Sequence, residues 1–325
     1  MLRKDPLPHQ LLPGTLLAKR FRIERVLAEG GFGIIYVGRD LNLEMTVAIK
    51  EYYPFGFASR NHTYSEEVTS SNEEGLQTFE KGKEDFLKEA RAMARFSVEP
   101  GIVTVRDFFT ENNTAYIVMD YLDGETLKTW LEENDPMPVE KALNLMRPIM
   151  AALSRIHEEG LIHRDISPDN IMMLKDNRIT LLDFGAARNA SLTKERDLTI
   201  MIKRGYAPEE QYRSKGNQGP WTDVYALCAT IYRCITGIKP DESIERVYND
   251  QLKRPSQLGI FITKNQEDTL MKGLAIFQKN RIQTIDELEE HLFSYSFGEG
   301  LEAKVIGKST SSNDRGNPFK RAGEL

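Results

Sequence analysis

The chain has 325 residues, 40% hydrophobic and 28% charged, which is the composition of an ordinary globular protein. Its formal net charge of −6 argues against a general nucleic-acid-binding protein, because such proteins need a basic surface. The longest apolar run, Val224 to Ile238, is too short to cross a bilayer and contains Arg233. No signal peptide is evident, so we expect a cytoplasmic protein with no membrane span, in which Cys228 and Cys234 are buried thiols.

The N-terminal part of the chain predicts a glycine-containing hairpin. Residues 1–14 contain three prolines and are expected to form a flexible extension. From Arg20 onward, β-branched and aromatic residues predict strands on both sides of Ala28-Glu29-Gly30-Gly31-Phe32-Gly33. Because glycine lacks a side chain, backbone N–H groups there can approach phosphates closely. Many hairpins carry glycines, so a plain turn is the alternative.

The next predicted strand, Val47-Ala48-Ile49-Lys50, ends in a lysine. Alternation places Ala48 and Lys50 on one face and Val47 and Ile49 on the other. Lysine on a strand is most often a solvated charge. Here a partner is available, because Glu89 lies 39 positions later beside the apolar stripe of a predicted helix, and a carboxylate on a packed face needs a cation.

The stretch from Glu51 to Asn72 separates Lys50 from this helix and predicts an insertion or extended loop, either merely tolerated or regulatory. Two antiparallel strands are then expected around residues 103–109 and 114–119, joined by the turn Glu111-Asn112-Asn113. Helical periodicity follows over Thr126–Asn134, Val139–Glu159, Val224–Thr236 and Thr269–Phe293. Residues 298–325 have few apolar side chains and are expected to form a disordered tail.

The polar residues that carry chemistry lie in Leu161-Ile162-His163-Arg164-Asp165-Ile166-Ser167-Pro168-Asp169-Asn170-Ile171 and in Asp183-Phe184-Gly185. The Asp165 carboxylate can accept a hydroxyl proton. Asn170 offers a neutral oxygen ligand and Asp183 an anionic one, and such a set suits a magnesium nucleotide.

These segments, in this order, resemble the motifs of the eukaryotic-type serine/threonine protein kinases over about residues 20 to 295. Lys50-Glu51-Tyr52-Tyr53-Pro54 is similar to a feature of a bacterial branch of these kinases. The resemblance implies an α+β, bilobal fold in which a kinase domain covers residues 15–297. Its parts would be a small β-rich N-lobe at 15–119, a hinge at 120–124 and a larger helical C-lobe at 125–297.

The resemblance also implies a reaction and a site. The reaction would transfer the γ-phosphoryl group of ATP to a protein serine or threonine, with protein substrates as partners and a homodimer for autophosphorylation. The catalytic set would be Asp165, Lys50, Glu89, Asn170 and Asp183, of which Asn170 and Asp183 hold Mg²⁺. The residues that contact ATP would be Leu27, Ala28, Gly30, Gly31, Phe32, Gly33, Ile35, Ala48, Lys50, Met119, Asp120, Tyr121, Leu122, Met172 and Asp183.

Supporting roles follow from the same resemblance. His163 and Phe184 would pack in a hydrophobic column with Met93 and Val105. Asp223 would accept backbone N–H bonds from the catalytic loop. Glu209, in Ala207-Pro208-Glu209, would form a buried ion pair with Arg281.

Two positions depart from the family pattern. Ala28 stands where the first glycine of the hairpin is usual, and alanine tolerates most of that geometry. Ser167 replaces a lysine that usually contacts the γ-phosphate, and the loss of a cation there should slow the reaction. One hypothesis is that Lys203 supplies the missing charge, and the alternative is that Lys203 is a solvated residue that contacts substrate.

Hydroxyl residues between Asp183 and Glu209 suggest regulation by phosphorylation. Arg164 precedes Asp165 and could bind a phosphate on this segment, for which Thr193 and Thr199 are favoured over Ser191. Two other functions stay open. The chain could be a pseudokinase that binds nucleotide and signals through its shape, or a small-molecule phosphotransferase of kinase-like fold.

Overall fold

The structure, a computed structural model, describes residues 6–31, 33–70, 73–97, 99–182, 202–213 and 215–294. Its N-terminal part is built on a six-stranded antiparallel sheet with the order β1-β2-β3-β4-β8-β7. These strands are β1 (Leu16–Leu17), β2 (Phe21–Gly30), β3 (Gly33–Asp40), β4 (Met45–Tyr52), β7 (Val105–Glu111) and β8 (Thr114–Asp120). The two short strands β5 (Ala58–Ser59) and β6 (Thr69–Ser70) pair separately. The predicted turn between β7 and β8 is confirmed, with Asn112 and Asn113 at positive φ as a tight hairpin requires.

A long helix, α1 (Glu73–Ala94), packs on this sheet through aromatic residues two helical turns apart. The ring of Tyr52, the last residue of β4, lies 5.2 Å from that of Phe79 and 5.6 Å from that of Phe86. All three rings are buried, so the end of β4 is fixed to one face of α1.

The C-terminal part is mainly helical, which confirms the predicted α+β architecture. A small antiparallel sheet has the order β11-β10-β9, with β9 at Gly124–Thr126, β10 at Ile171–Leu174 and β11 at Ile179–Leu181. The helices are α2 (Leu127–Glu133), α3 (Val139–Glu158), α4 (Pro220–Thr236), α5 (Ser243–Tyr248), α6 (Lys264–Gly273) and α7 (Ile285–Phe293). None of the helices within the described ranges is both long and apolar enough to cross a membrane.

The central helix of this part is α4, which is apolar on nearly every side and almost entirely buried, as predicted. Its two cysteines, Cys228 and Cys234, are free and fully buried, and burial raises the pKa of both thiols to about 12. The helix ends at Gly237, whose φ of 71° places it in the left-handed region that glycine favours.

The stretch after Lys50 is an insertion that carries a buried ion pair. Both side chains of the pair, Glu51 and Arg60, are fully buried, and their shortest N–O distance is 2.5 Å. The hydroxyls of Tyr36 and Tyr116 donate to the same carboxylate at 2.8 and 2.9 Å. Burial lowers the pKa of Arg60, but the hydrogen bonds and charge of Glu51 outweigh this and raise it above its usual value. Every strong acceptor and donor of the pair is therefore satisfied inside the protein.

The expectation that residues 1–14 form a flexible extension is wrong for residues 8–11. Leu11 is buried, and its N–H donates to the hydroxyl of Tyr36 at 3.1 Å. The guanidinium of Arg60 donates to the backbone carbonyl of His9 at 2.5 and 2.9 Å. The prolines in this segment predicted flexibility, but the buried ion pair and the apolar side chain of Leu11 tie it to the sheet. The other predicted domain boundaries stay predictions.

The expected ion pair between Glu209 and Arg281 is also wrong, because the neighbouring residue takes that place. Arg281 pairs with Glu210 at 2.7 Å, and both side chains are almost fully buried. Glu209 instead pairs with Arg213, which is largely exposed, at 2.6 Å. A 3₁₀ turn over Glu209–Tyr212 starts directly after Pro208, and it points Glu210 toward the core, where the hydroxyl of Thr222 also donates to it.

We predict that removing either charge of the Glu51–Arg60 pair destabilises the protein strongly. Glu51→Gln or Arg60→Met leaves the other charge buried without its partner, which should lower the free energy of unfolding by about 3–5 kcal/mol. Urea denaturation of each single variant and of the double variant measures this, and the double variant should recover part of the loss. As a control, Arg178→Met removes only an exposed pair with Asp176 and should leave the urea midpoint unchanged. Equal stability of all variants would contradict the prediction.

The two glutamates after Pro208 should differ in the same assay. Glu210→Gln leaves Arg281 buried beside a neutral side chain, and we expect a loss of about 3–5 kcal/mol in the free energy of unfolding. Glu209→Gln removes only the partner of Arg213, whose side chain is largely exposed, and should cost much less. A larger loss of stability for Glu209→Gln than for Glu210→Gln would instead support the Glu209–Arg281 pair expected from the sequence.

Candidate active site

One face of β3 and β4 carries the side chains that the sequence assigns to nucleotide binding. Lys50 lies directly opposite Ile35, and Ile35 lies opposite Ala28 on β2. Ala48 lies opposite Met119 on β8. Cross-strand neighbours project from the same face of a sheet, so the structure brings these five residues together.

The burial of β4 confirms the predicted alternation. Val47 and Ile49 are fully buried, whereas Ala48 and Lys50 are half-buried on the opposite face. Lys50 therefore does not point into solvent as an ordinary surface lysine would.

The glycines of the hairpin serve two different purposes. A Cβ at Gly33 would lie 2.3 Å from the carbonyl oxygen of Glu51, so the approach of β3 to β4 requires glycine there. A Cβ at Gly30 or Gly31 would meet no described atom within 4 Å. Packing does not explain these two glycines, and the backbone beside them stays open to a ligand. Leu27 is about half exposed at the start of the hairpin, and Phe32 lies outside the described residues.

Helix α1 places Glu89 on the turn that faces Lys50. The Nζ atom of Lys50 lies 5.7 Å from the ring centroid of Phe86. Glu89 is buried on the same stripe of α1 as Phe86 and Met93. The structure thus brings the two predicted partners to the same part of the molecule, and the Lys50–Glu89 ion pair itself stays a prediction.

The predicted hinge has backbone groups available for a ligand. The N–H of Asp120 donates to the carbonyl of Thr104 at 3.0 Å, so that group is used within the protein. Tyr121 and Leu122 lie between β8 and β9, and neither forms a backbone hydrogen bond with the residues that the structure describes. Buried or half-buried backbone groups without partners favour a ligand that donates and accepts hydrogen bonds.

A pocket of about 680 Å³ shares the hinge but is a different cavity from the predicted nucleotide site. Asp120, Tyr121 and Leu122 line it, whereas Ile35, Ala48 and Met172 do not. Met172 is half-buried on β10, which pairs with the strand β9 that follows the hinge.

The loop after α3 brings Asp165 and Asn170 into contact. Asp165 is 3% exposed, and the side-chain amide of Asn170 donates to its carboxylate at 2.5 Å and to its backbone carbonyl at 2.9 Å. Both amide hydrogens of Asn170 are therefore used, and its side-chain oxygen is left as an acceptor. An amide oxygen beside a carboxylate is a suitable place for a hard cation such as Mg²⁺.

The carboxylate of Asp223 binds the backbone of this loop, as predicted. It is fully buried and accepts the backbone N–H groups of His163 and Arg164, both at 2.8 Å. Arg164 has a φ of 69°, which is unfavourable for a residue other than glycine, so the loop needs such support.

Two further support residues were not found from the sequence. The Nε2 atom of His157 lies 2.7 Å from the Asp223 carboxylate, and the amide of Gln211 donates to the carbonyl of Arg164 at 2.8 Å. The first lies in the last turn of α3 and the second follows Glu210, and neither position carries a pattern that would have indicated the contact.

Ser167, which replaces the usual lysine, is fully buried. Its hydroxyl forms no hydrogen bond with any residue in the described ranges. Lys203 lies with its Nζ atom 3.7 Å from the carboxylate of Asp169, which directly precedes Asn170. The hypothesis that Lys203 supplies the missing charge stays a prediction.

Several predicted site residues lie outside the described ranges. They are Asp183, Phe184, Ser191, Thr193 and Thr199. The second metal ligand, the phosphorylation sites and the hydrophobic column therefore stay predictions, although the other three members of the column, Met93, Val105 and His163, are all buried.

Comparison with known proteins shows the family to which the chain belongs. A family model described as the protein kinase domain matches residues 21–291. The serine/threonine-protein kinase PknL of Mycobacterium tuberculosis is 30% identical over 230 residues, which cover 70% of this chain and 52% of PknL. PrkC of Bacillus subtilis is 28% identical over 286 residues, which cover 86% of this chain and 41% of PrkC. The chain thus spans about half or less of the length of these relatives.

Solved structures show the same relationship. The apo form of PpkA-294 is 38% identical, with a TM-score of 0.77, and the match covers 87% of this chain and 99% of that one. Rad53 in complex with AMP-PNP is 19% identical, with a TM-score of 0.63, and shows the fold alone. Because the family match extends from β2 to α7 and includes every segment of the candidate site, the chain belongs to the protein kinase family, with bacterial serine/threonine kinases among its relatives.

Proposed function

We propose that this chain transfers the γ-phosphoryl group of Mg-ATP to serine or threonine hydroxyls of protein substrates. The observation that carries the proposal is the contact between Asn170 and the buried carboxylate of Asp165, on a loop fixed by Asp223. A carboxylate with an amide oxygen beside it suits phosphoryl transfer, in which positioning and charge neutralisation supply most of the catalysis.

Asp165 would orient and deprotonate the acceptor hydroxyl. The hydrogen bond from Asn170, at 2.5 Å, fixes the orientation of this carboxylate. A general base in such a position contributes about 10²–10⁴-fold in rate. Because Asp165 is 3% exposed, bulk water competes little for its carboxylate.

The nucleotide would occupy the cleft beneath β3 and β4. When bound, Mg-ATP supplies the phosphoryl group, and its metal neutralises charge on the phosphate oxygens. Asn170 would hold the metal together with Asp183, and Lys50 would bind phosphate beside the open backbone of Gly30 and Gly31. Ile35, Ala48 and Met172 would enclose the adenine, whose edge would bond to the backbone of Tyr121 and Leu122.

Two other functions remain distinguishable by experiment. The buried Ser167, whose hydroxyl bonds to no described residue, favours a pseudokinase, because Ser167 replaces a cation expected beside the γ-phosphate. A small-molecule phosphotransferase is disfavoured, because such enzymes generally lack the Ala207-Pro208-Glu209 element, and here the adjacent Glu210 ties that element to Arg281.

Asp165→Asn should abolish transfer while nucleotide binding is retained. The amide cannot accept the hydroxyl proton, so we expect kcat to fall by about 10²–10⁴-fold. Radiolabel transfer from ATP to a generic protein measures the activity, and a fluorescent ATP analogue measures binding. Asp176→Asn makes the same chemical change on an exposed turn and should leave activity unchanged.

The three functions give different results in this assay. A kinase labels protein in the parent and not in Asp165→Asn. A pseudokinase binds the analogue but labels nothing, and a small-molecule enzyme consumes ATP only when a small acceptor is added. Equal labelling by the parent and Asp165→Asn would contradict the assigned role of Asp165.

We also expect autophosphorylation between residues 183 and 201, at Thr193 or Thr199. The Nε atom of Arg164 is buried and forms no hydrogen bond with a described residue, and a phosphate on that segment would supply the missing acceptor. Mass spectrometry of the protein after incubation with ATP should find phosphate there, and none in Asp165→Asn. An unphosphorylated segment in protein that labels other substrates would contradict this prediction.

A further inference from the structure

A second pocket, of about 460 Å³, lies beside the catalytic loop, and basic residues are the largest group in its lining. We call it the cationic pocket. Its basic residues come from α2, from the segment after residue 201, and from the end of α4 and the loop beyond it: Lys128, Lys203, Arg204, Arg233 and Lys239. Only two carboxylates, those of Glu132 and Asp169, line it as well. This local surplus of positive charge contrasts with the net charge of −6 of the whole chain.

The ion pairs around the pocket leave part of this charge uncompensated. Lys128 and Lys203 share one carboxylate, that of Asp169, at 3.2 and 3.7 Å. Arg204 pairs with Glu242 at 3.4 Å. Arg233 and Lys239 form no ion pair with any residue of the described ranges, so their charges remain available to a ligand.

The helix dipole explains the position of Arg233 but not that of a second cation of the pocket, Lys239. A cation in the last turn of a helix is stabilised by the helix dipole, and Arg233 lies in the last turn of α4. Lys239, however, follows the end of that helix and is exposed. The dipole does not account for a second cation on the same pocket.

The pocket is part of the folded framework. A Cβ at Gly205 would lie 2.5 Å from the carbonyl of Pro240 and 3.0 Å from the Cγ atom of Lys239, so these two walls are in close contact. The hydroxyl of Ser243 donates to the carbonyl of Ala207 at 2.8 Å and fixes the same wall further along. The cations are therefore held on ordered backbone rather than on independent loops.

The location of the pocket relative to Asp165 indicates what it would bind. Pro168 and Asp169 line it, and they directly precede Asn170, which donates to the Asp165 carboxylate. The pocket therefore lies close to the place where an acceptor hydroxyl would meet Asp165, within reach of a neighbouring residue of the same peptide. We propose that the cationic pocket binds an anionic side chain of the protein substrate near the acceptor hydroxyl, either a carboxylate or a phosphate, through Arg233 and Lys239. This inference rests on the proposed kinase function.

The test uses the full chain and synthetic peptides that share one threonine acceptor. At each position from three before to three after the acceptor, the peptides carry alanine, glutamate, phosphoserine or arginine, and kcat/KM is measured with ATP. For the parent, at least one position should favour the anionic peptides over alanine by about twofold to fivefold, the effect of a partly exposed ion pair. The preference should weaken as salt is raised.

Charge-reversal variants connect the preference to the pocket. Arg233→Glu and Lys239→Glu should each reduce the preference for anionic peptides, and the double variant should favour arginine at the same position. Lys239 is exposed, so its variant folds even if the half-buried Arg233 does not tolerate glutamate. Lys264→Glu, an exposed lysine at the start of α6, is the matched control and should keep the parent's preference.

The outcomes separate this inference from the function on which it rests. No transfer to any peptide or to generic protein would overturn the kinase proposal. Equal transfer to alanine and anionic peptides, or a preference that persists in Lys239→Glu and in the double variant, would overturn the pocket assignment alone. A preference restricted to glutamate or to phosphoserine supports the assignment and identifies the source of the anion.

Discussion

The candidate site depends on the buried carboxylate of Asp223, which binds the two backbone N–H groups that precede Asp165. Arg164 adopts a backbone conformation that costs on the order of 1–2 kcal/mol for a residue with a side chain. Two charge-assisted hydrogen bonds at 2.8 Å are sufficient to offset that cost. The direction of the Asp165 side chain follows from this conformation, and the Asn170 contact follows from the direction of Asp165.

In the N-terminal sheet, the register of the strands, and not a special loop, places the predicted site residues next to one another. Ala28, Ile35 and Lys50 lie side by side because they are paired across three adjacent antiparallel strands, and a register shift between Val26 and Ala28 sets the pairing of Ala28 with Ile35. The end of β4 is then fixed to α1 by Tyr52, which shares a face with Lys50. A slip of one residue in β4 would turn Lys50 to the opposite face, so the packing of Val47 and Ile49 determines where the ammonium lies.

The sequence predicted those parts of the molecule in which a periodic hydrophobic pattern defines the strand or helix that carries a family motif. Alternation in Val47-Ala48-Ile49-Lys50 indicated the correct face, and helical periodicity indicated α3 to within one residue. The prediction failed where the contact of a single residue, outside any periodic pattern, determines the structure. A 3₁₀ turn exchanges the roles of Glu209 and Glu210, and no sequence pattern distinguishes the two. The anchoring of Leu11 was also missed, because it depends on a tyrosine 25 positions away.

The insertion after Lys50 has a consequence for how this chain can vary among related genes. Glu51 is acceptable inside the sheet only because Arg60, nine residues later, neutralises it. A relative that loses the segment from residue 53 to residue 70 cannot retain an acid at position 51, and a relative that retains the acid must retain the arginine. The segment and the acid at position 51 should therefore be inherited together, and the presence of one in a homologous sequence should report the presence of the other.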